Sequence, residues 1–437
     1  MKTDYLIIGA GAMGIAFADE IFTRNSNITI TLIDRRAKPG GHWNNAYPFV
    51  GLHQPAAFYG VNSEELGTNT THLSSKPEIL DYYKEIIQKF ESSGRVKFFP
   101  KHNYLGNNQV VDLNNPENII TFQVNKKVVD ATYMNVEVPS THPPKYKVDN
   151  GVPLKPLNNL DVEYNKWGSF YVIGSGKTGM DAILYLLKKG VNAENINWIA
   201  PNDAWLFNRS HIQVGKISKE LLKHAELIKN ANKVDDVFLE MEKEGGIFRI
   251  DNSIAPVKWR CATVSPEELI LLRSIKKIIR KGRIESITNK EIQLQKGTVA
   301  YPENTLFVDC TANGLSKREK RPIFSEKLIT LQAVLFCQQV FSAAVIARLE
   351  LTNISDTTRN NIEPVPHPEF KEDWPKSMST TINNLLVFHR HFPLWMFRSR
   401  LNFMSHEPML QYFGYAIKAA LLSGPTKKAV SRLAKIS

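Results

Sequence analysis

Apolar and polar residues fall in blocks along the start of the chain. A short apolar run, Tyr5-Leu-Ile-Ile8, closes on Gly9-Ala-Gly11-Ala12-Met13-Gly14, an amphipathic stretch follows to Arg24, and residues 28–33 form a second apolar run ending on Asp34. A glycine-bounded apolar run suits a buried parallel strand, and the span after it is long enough for a helix packed on that strand. The pattern predicts strand, glycine turn, helix, strand. It returns at Ser169-Phe-Tyr-Val-Ile-Gly174-Ser175-Gly176-Lys177-Thr178-Gly179, with a helical pattern at 182–189 and a strand pattern at 196–200.

Between and after these blocks the signals are shorter. A helix is predicted over 77–91, short strands over 97–99, 109–112 and 119–124, and a crossing linker rich in Pro, Lys and Asn over 139–160. Ser265-Pro-Glu-Glu268 is a capping box with Pro at the first helical position, so a helix starts there and runs to about Arg280. Residues 306–311 read as another buried strand, and 409–422 as an apolar helix stopped by Gly424-Pro425. The fold class is therefore α/β: two Rossmann-like dinucleotide-binding units, one inserted in the other, with divisions at 1–150, 151–310 and 311–437.

Composition narrows the class. The 437 residues are 43% hydrophobic and 22% charged, an ordinary globular balance, and 55 Lys and Arg against 43 Asp and Glu leave +12, which favours an anionic partner without choosing one. The three cysteines, Cys261, Cys310 and Cys337, form no close sequence pair, which argues against a zinc site, a disulfide scaffold or a dithiol centre and suits a reducing, cytoplasmic setting. No metal site is predicted. Residues 4–14 read as the first element of a fold rather than a secretory leader, and polar residues interrupt the longest uncharged run, 328–347, so no membrane-spanning helix is predicted.

The glycine spacing carries chemistry. Gly9 permits the tight turn, Gly11 lets backbone approach a pyrophosphate, and Gly14 lets helix and strand pack closely, with the helix N-terminus aimed at the phosphates. Asp34, at the end of the second strand, is placed to accept from ribose hydroxyls. The Gly-Lys-Thr inside the second turn is not a P-loop, because that pattern needs an earlier Gly where Tyr171 stands.

The first GxGxxG, the acid, Gly40-Gly41-His42-Trp43, Tyr47-Pro48 and the second GxGxxG together resemble the class B flavoprotein monooxygenases, the flavin-containing, N-hydroxylating and Baeyer–Villiger enzymes. The resemblance covers roughly the first 210 residues and the strand near Cys310. It implies FAD on the first unit, NADPH on the second, and O2 and a small organic molecule as the other reactants, oxygen passing through a flavin C4a-hydroperoxide. The implied FAD contacts are Gly9, Gly11, Ala12, Met13, Gly14, Asp34 and Arg35, with Gly41, His42 and Trp43 beside the flavin and His53 and Thr311 nearby. The second nucleotide would meet Gly174, Ser175, Gly176, Lys177, Thr178, Gly179 and Arg209. Asn69, in Asn69-Thr-Thr-His72 before a helix start, resembles the family's flavin-reaching amide and is the catalytic candidate, against a plain turn role for such a sequence.

The pattern also departs from the family. His53 stands where many members carry Asp, Tyr133 stands where a strand end should be Gly, and the Baeyer–Villiger fingerprint is absent around the linker, so lactone formation is not predicted. After the second unit's second strand, Arg209 would attract a 2′-phosphate and Asp203 would repel it; NADPH is favoured by the resemblance, NADH by Asp203. An NAD(P)H-dependent flavin dehydrogenase without oxygen transfer and a non-catalytic nucleotide-binding protein are the rival functions.

Nucleic acid is not expected as a partner, since the basic run 276–283 reads as the cationic end of a helix. In the C-terminal segment Arg390, Arg398, Arg400, Lys418, Lys427, Lys428, Arg432 and Lys435 interleave with Phe388, Phe392, Trp395, Phe397, Phe403, Tyr412, Phe413 and Tyr415. Two readings follow: the aromatics are core, which is favoured, or the segment makes peripheral contact with an anionic membrane surface.

Overall fold

The computed structural model describes every residue except Asn69, Asn313, Ser316, Lys317, Pro366, Ile436 and Ser437. Two five-stranded sheets organise the chain. In the first, the strands lie in the order Leu328–Thr330, Gln123–Asp130, Lys2–Ile8, Ile30–Asp34, Val96–Pro100, all parallel. In the second the order is Leu154–Pro156, Thr305–Asp309, Ser169–Ile173, Ile196–Ile199, Ile278–Ile279, again all parallel. Every residue of Ile30–Asp34, Ser169–Ile173 and Thr305–Asp309 is buried, as parallel strands covered on both faces require. The edge strand Leu328–Thr330 of the first sheet follows the whole second sheet in sequence, so the second unit is inserted in the first.

The helix Ala12–Arg24 packs its apolar residues between the first sheet and the helix Gln339–Glu350, whose residues 340–347 are all buried. Lys76–Ser92 starts on a Ser75/Glu78 capping box with Pro at its start, and Pro266–Ser274 starts on the Ser265/Glu268 box. The second helix ends earlier than its sequence pattern suggests. Ile278–Ile279 leaves it to pair with Trp198 and Ile199, completing the sheet, so the basic run 276–283 belongs to strand and turn and not to a helix end.

Two other local expectations are corrected. The apolar run 119–124 breaks into two strands, Asn115–Thr121 in a small antiparallel sheet and Gln123–Asp130 in the parallel one, with Phe122 buried between them. Gly424-Pro425 does not stop the last helix, which runs Met409–Leu433. Proline deprives the carbonyl four residues back of its donor. That residue is Leu421, which is 72% exposed, so water can replace the bond, while Thr426, Ala429 and Leu433 beyond the proline bury a further face.

Candidate functional site

At the first glycine turn the backbone does what its spacing demands. Gly9 takes φ +101°, and a Cβ on Gly14 would overlap the Gly9 carbonyl oxygen, so helix and strand touch there only because neither residue has a side chain. Asp34 is buried, its Oδ2 accepting from the Ala10 N–H at 2.9 Å and its Oδ1 from the Arg36 N–H at 2.8 Å. It therefore ties the glycine turn to the end of the second strand and keeps lone pairs for a further donor. The turn is roofed by the next motif. Gly40 donates to the Ala10 carbonyl at 2.8 Å, and a Cβ on Gly41, which has φ +57°, would lie 2.9 Å from the Gly11 Cα.

Beyond that roof the 3-10 turn Gly41–Asn45 presents His42 and buries Trp43, whose Nε1 donates to the Tyr59 hydroxyl at 2.8 Å. Burial, with Arg36 nearby, pushes His42 down to about 4, so its ring is neutral at physiological pH. Arg35 is exposed at the strand end. Ala12 and Met13 open the helix, as the glycine pattern requires.

The second turn repeats the local build. Gly174 takes φ +117°, and a Cβ on Gly179 would overlap the Gly174 carbonyl oxygen. Its surroundings differ: a Cβ on Gly176 would meet nothing within 4 Å. Beside it lies a cavity with about 290 Å³ of empty volume, lined by Ser175, Trp198, Asn202, Asp203 and Ile278 among others. Each nest is also closed by an equivalent strand end. Asp130 accepts from the Thr132 N–H and hydroxyl, and Asp309 from the Thr311 N–H and hydroxyl, at 2.6–3.0 Å. Thr311 thus shapes its own turn.

Several charged candidates are engaged in binding the protein to itself. Arg209 is buried and makes a bidentate pair with Glu268 at 3.0 and 2.7 Å, while its Nε donates to the His53 carbonyl at 3.1 Å. Its donors are spent fastening the second unit to the first, so it is not poised for a 2′-phosphate. Lys177 pairs with Asp181, which also accepts from the Tyr47 hydroxyl, so the turn's positive charge is matched and linked across the units. His53 contacts the Thr263 hydroxyl at 3.2 Å, and burial beside Lys177 and Arg209 pushes it down to about 3. Thr178 opens the helix Lys177–Lys188.

The sequence reading of Asp203 missed its partner. Arg280 grips it through two bonds of 2.8 and 3.0 Å, so the repulsion expected from Asp203 is balanced by a cation that the strand Ile278–Ile279 brings to the same edge. Tyr133 is buried, donating to the Glu319 carbonyl at 2.5 Å under the guanidinium of Arg321. Asn69 lies outside the described residues; its neighbour His72 bonds Glu78 at 2.9 Å at the start of the following helix.

Cysteine spacing does not show which thiols lie together. In space Cys261 and Cys337 are neighbours whose thiols influence each other, and His367 Nδ1 lies 3.3 Å from the Cys337 sulfur. Next to Cys337, Phe336 lines an apolar recess walled by Leu335, Met378, Ile382, Phe403 and Met404. The C-terminal aromatics Phe388, Phe392, Trp395, Phe403 and Tyr412 are core, while the outer face of Met409–Leu433 leaves Leu410, Ile417 and Leu421 at 90, 62 and 72% exposed. Among the described residues no helix is long and apolar enough to cross a membrane.

Comparison with known proteins agrees with this geometry. Residues 7–86 match the family model of the NAD(P)-binding Rossmann-like domain. A protein of Mycobacterium tuberculosis (strain H37Rv), bearing the name Uncharacterized protein Rv2000, is 39% identical over 437 residues, covering 94% of this chain and 81% of its own. A Geobacillus kaustophilus protein named as an uncharacterized CzcO-like oxidoreductase is 27% identical over 188 residues, 40% of this chain and 49% of its own.

Three solved structures share the fold. The open form of cyclohexanone monooxygenase superposes with a TM-score of 0.54 at 12% identity, over 98% of both chains. Cyclohexanone monooxygenase from Rhodococcus sp. Phi1 bound to NADP+ gives 0.51 at 14% identity, also over 98% of both. Bacillithiol disulfide reductase from Staphylococcus aureus gives 0.50 at 12% identity, over 80% of this chain and 98% of its own. The chain belongs to the family of its mycobacterial relative, and its two Rossmann-like units, one inserted in the other, have the fold of the class B flavin monooxygenases.

Proposed function

We infer that the protein is an FAD-dependent, NAD(P)H-consuming oxidoreductase of the monooxygenase type. The observation that carries this reading is the pairing of two glycine nests in one chain, the first roofed by Gly40 and Gly41, the second open to a cavity. The residues fit the two cofactors. Gly9, Gly11 and Gly14 leave backbone N–H groups free of side chains at a helix start, where an FAD pyrophosphate would sit, and Asp34 retains lone pairs for its ribose. Gly174, Gly176 and Gly179 offer the same nest to a nicotinamide dinucleotide. The oxidoreductase name of the Geobacillus relative and the monooxygenase names of the fold neighbours support the same class.

When bound, the flavin supplies two-electron chemistry toward the nicotinamide and toward O2. The chain holds the two nests in register through Tyr47 and Lys177 on Asp181 and through Arg209 on the His53 carbonyl, and neutral His42 and His53 add no charge there. The apolar recess beside Phe336 supports a small apolar substrate. NADPH is the preferred donor in this reading, since Arg280 balances Asp203. Consumption of NADPH with matched O2 uptake, and oxygen incorporated into an added apolar compound, tests the reading. Consumption that releases all the O2 as peroxide with every compound tried turns it to the dehydrogenase alternative.

We propose separately that the exposed face of Leu410, Ile417 and Leu421, where Lys418 is paired with Glu226 at 3.0 Å, meets an anionic lipid surface. Co-sedimentation with anionic vesicles, lost when all three become serine, tests this; supernatant recovery of the unaltered protein at low salt removes it.

A further inference from the structure

The thiol pair lies where two strained pieces of backbone meet. Cys261 has φ +56° and Phe336, next to Cys337, has φ +40°. The other non-glycine residues with positive φ among those described are Lys101, Asn107, Asn108, Asn135 and Asn304, none of them buried. Asparagine tolerates this region, whereas a buried Cys or Phe does not, at a cost of about 1–3 kcal/mol each. Such strain persists where surrounding structure imposes it. Around Cys261 the register between Ala204–Asn208 and Lys258–Val264 jumps, from Trp205 opposite Trp259 to Phe207 opposite Thr263, so the strand bulges at the cysteine.

The three groups have distinct surroundings. Cys337 is partly exposed and Cys261 is buried, which makes Cys337 the more accessible of the two. The neighbouring Cys261 thiol and then the charge of His367 pull Cys337 below the ordinary thiol range, against burial. Burial pushes His367 down, but the Cys337 sulfur's charge and hydrogen bond outweigh it and hold the imidazole up. The other charges facing this cluster are Arg260, which is paired with Glu369 at 2.9 Å, and Asp373. A partly exposed, low-lying thiol with an imidazole 3.3 Å away and a second thiol beside it is the arrangement of a peroxide-reactive site.

We propose that Cys337, Cys261 and His367 form a peroxide-reducing dithiol site, with Cys337 as the attacking thiolate, Cys261 as the resolving thiol and His367 as the proton donor to the leaving oxygen. The Cys337 sulfur attacks one oxygen of a hydroperoxide; the S–O bond forms, the O–O bond breaks, and the alkoxide or hydroxide leaves with the proton of His367. The Cys261 sulfur then attacks the sulfenic sulfur, the S–S bond forms, the S–O bond breaks, and hydroxide leaves as water with the Cys261 proton. Two thiols and one hydroperoxide become a disulfide, an alcohol or water, and water. The step requires neither nucleotide, and a small dithiol reductant restores the starting state. This proposal stands apart from the flavin reading, and its readouts are chemical states of the thiols.

The experiment treats the full-length protein, as purified and reduced, with about a tenfold excess of hydrogen peroxide, then alkylates and weighs it. A loss of two hydrogens, a Cys261–Cys337 cross-linked peptide, and Cys310 recovered as the alkylated thiol are expected. Cys261→Ser should stop at Cys337 sulfenic acid, captured by a dione probe, and Cys337→Ser should leave Cys261 unreacted. His367→Asn should shift the pH midpoint of Cys337 alkylation upward and slow alkylation at pH 6 by about tenfold or more, an effect a merely structural histidine would not have. Thiols that stay reduced in the unaltered protein, a disulfide that includes Cys310, or an alkylation profile of Cys337 that matches an ordinary thiol would each overturn the proposal.

Discussion

At the first glycine turn a Cβ on Gly11 would sit 3.5 Å from the Gly41 Cα, whereas at the second a Cβ on Gly176 would meet nothing within 4 Å. The two nests share their strand, their turn, their helix and even the Asp-x-Thr closure of the neighbouring strand. What differs is the cover, which comes from residues outside the local motif. A roofed nest releases its ligand only when the roof moves, so dissociation is slow, while an open nest exchanges. In the function proposed above, this contrast would make the first nest's cofactor resident and the second's a diffusing one.

The roof is the first thing to break. Gly41→Ala puts a Cβ 2.9 Å from the Gly11 Cα at a φ of +57°, so the loop must lift. Protein carrying this change should emerge from gel filtration without flavin while keeping its circular dichroism, and full flavin occupancy would show that the roof is not part of the site. The next effect is on the link between units. Arg209→Ala leaves Glu268 only the Ser265 N–H of its capping box and should cost about 1–3 kcal/mol, the usual range for a lost charged hydrogen bond, read as a fall in unfolding free energy with little change in nucleotide preference. A shift in NADPH to NADH ratio at unchanged stability would return Arg209 to the nucleotide site.

Asp34→Ala should then weaken flavin retention by about 1–3 kcal/mol, because the Ala10 N–H loses its charged acceptor and the ribose a partner. Flavin titration measures it, and unchanged affinity removes the role. The smallest change belongs to the open nest. Arg280→Ala frees Asp203 and should raise KM for NADPH by about tenfold relative to NADH, since one lost charged contact is worth roughly that factor. Equal effects on both nucleotides would mean that Arg280 only orders the sheet edge.

The parts of this molecule that could be read from the sequence are those set by neighbours in the chain. The strand, glycine turn and helix at 4–24 and at 169–188, the Ser75 and Ser265 helix starts and the buried strand at 305–309 all rest on local periodicity and capping. The misreadings come from distant partners. The helix after Ser265 stops early because Ile278 and Ile279 find Trp198 and Ile199, and the last helix passes Pro425 because Thr426, Ala429 and Leu433 have a core to join. Arg209, expected from its place after the strand to meet a phosphate, is held by Glu268 and the His53 carbonyl, partners distant in the chain. Cys261 and Cys337 carry no spacing signal, since the bulge that presents one and the loop that presents the other meet only in the folded chain.

The most direct test of the resident and diffusing assignment is a single-turnover experiment on the gel-filtered protein without oxygen. The account predicts a yellow protein with one flavin band near ~450 nm that survives filtration, is bleached on adding NADPH, and afterwards passes a second filtration with its flavin retained and the nicotinamide nucleotide gone. A colourless protein that takes up no FAD, or one that holds both nucleotides with equal tenacity, would contradict it.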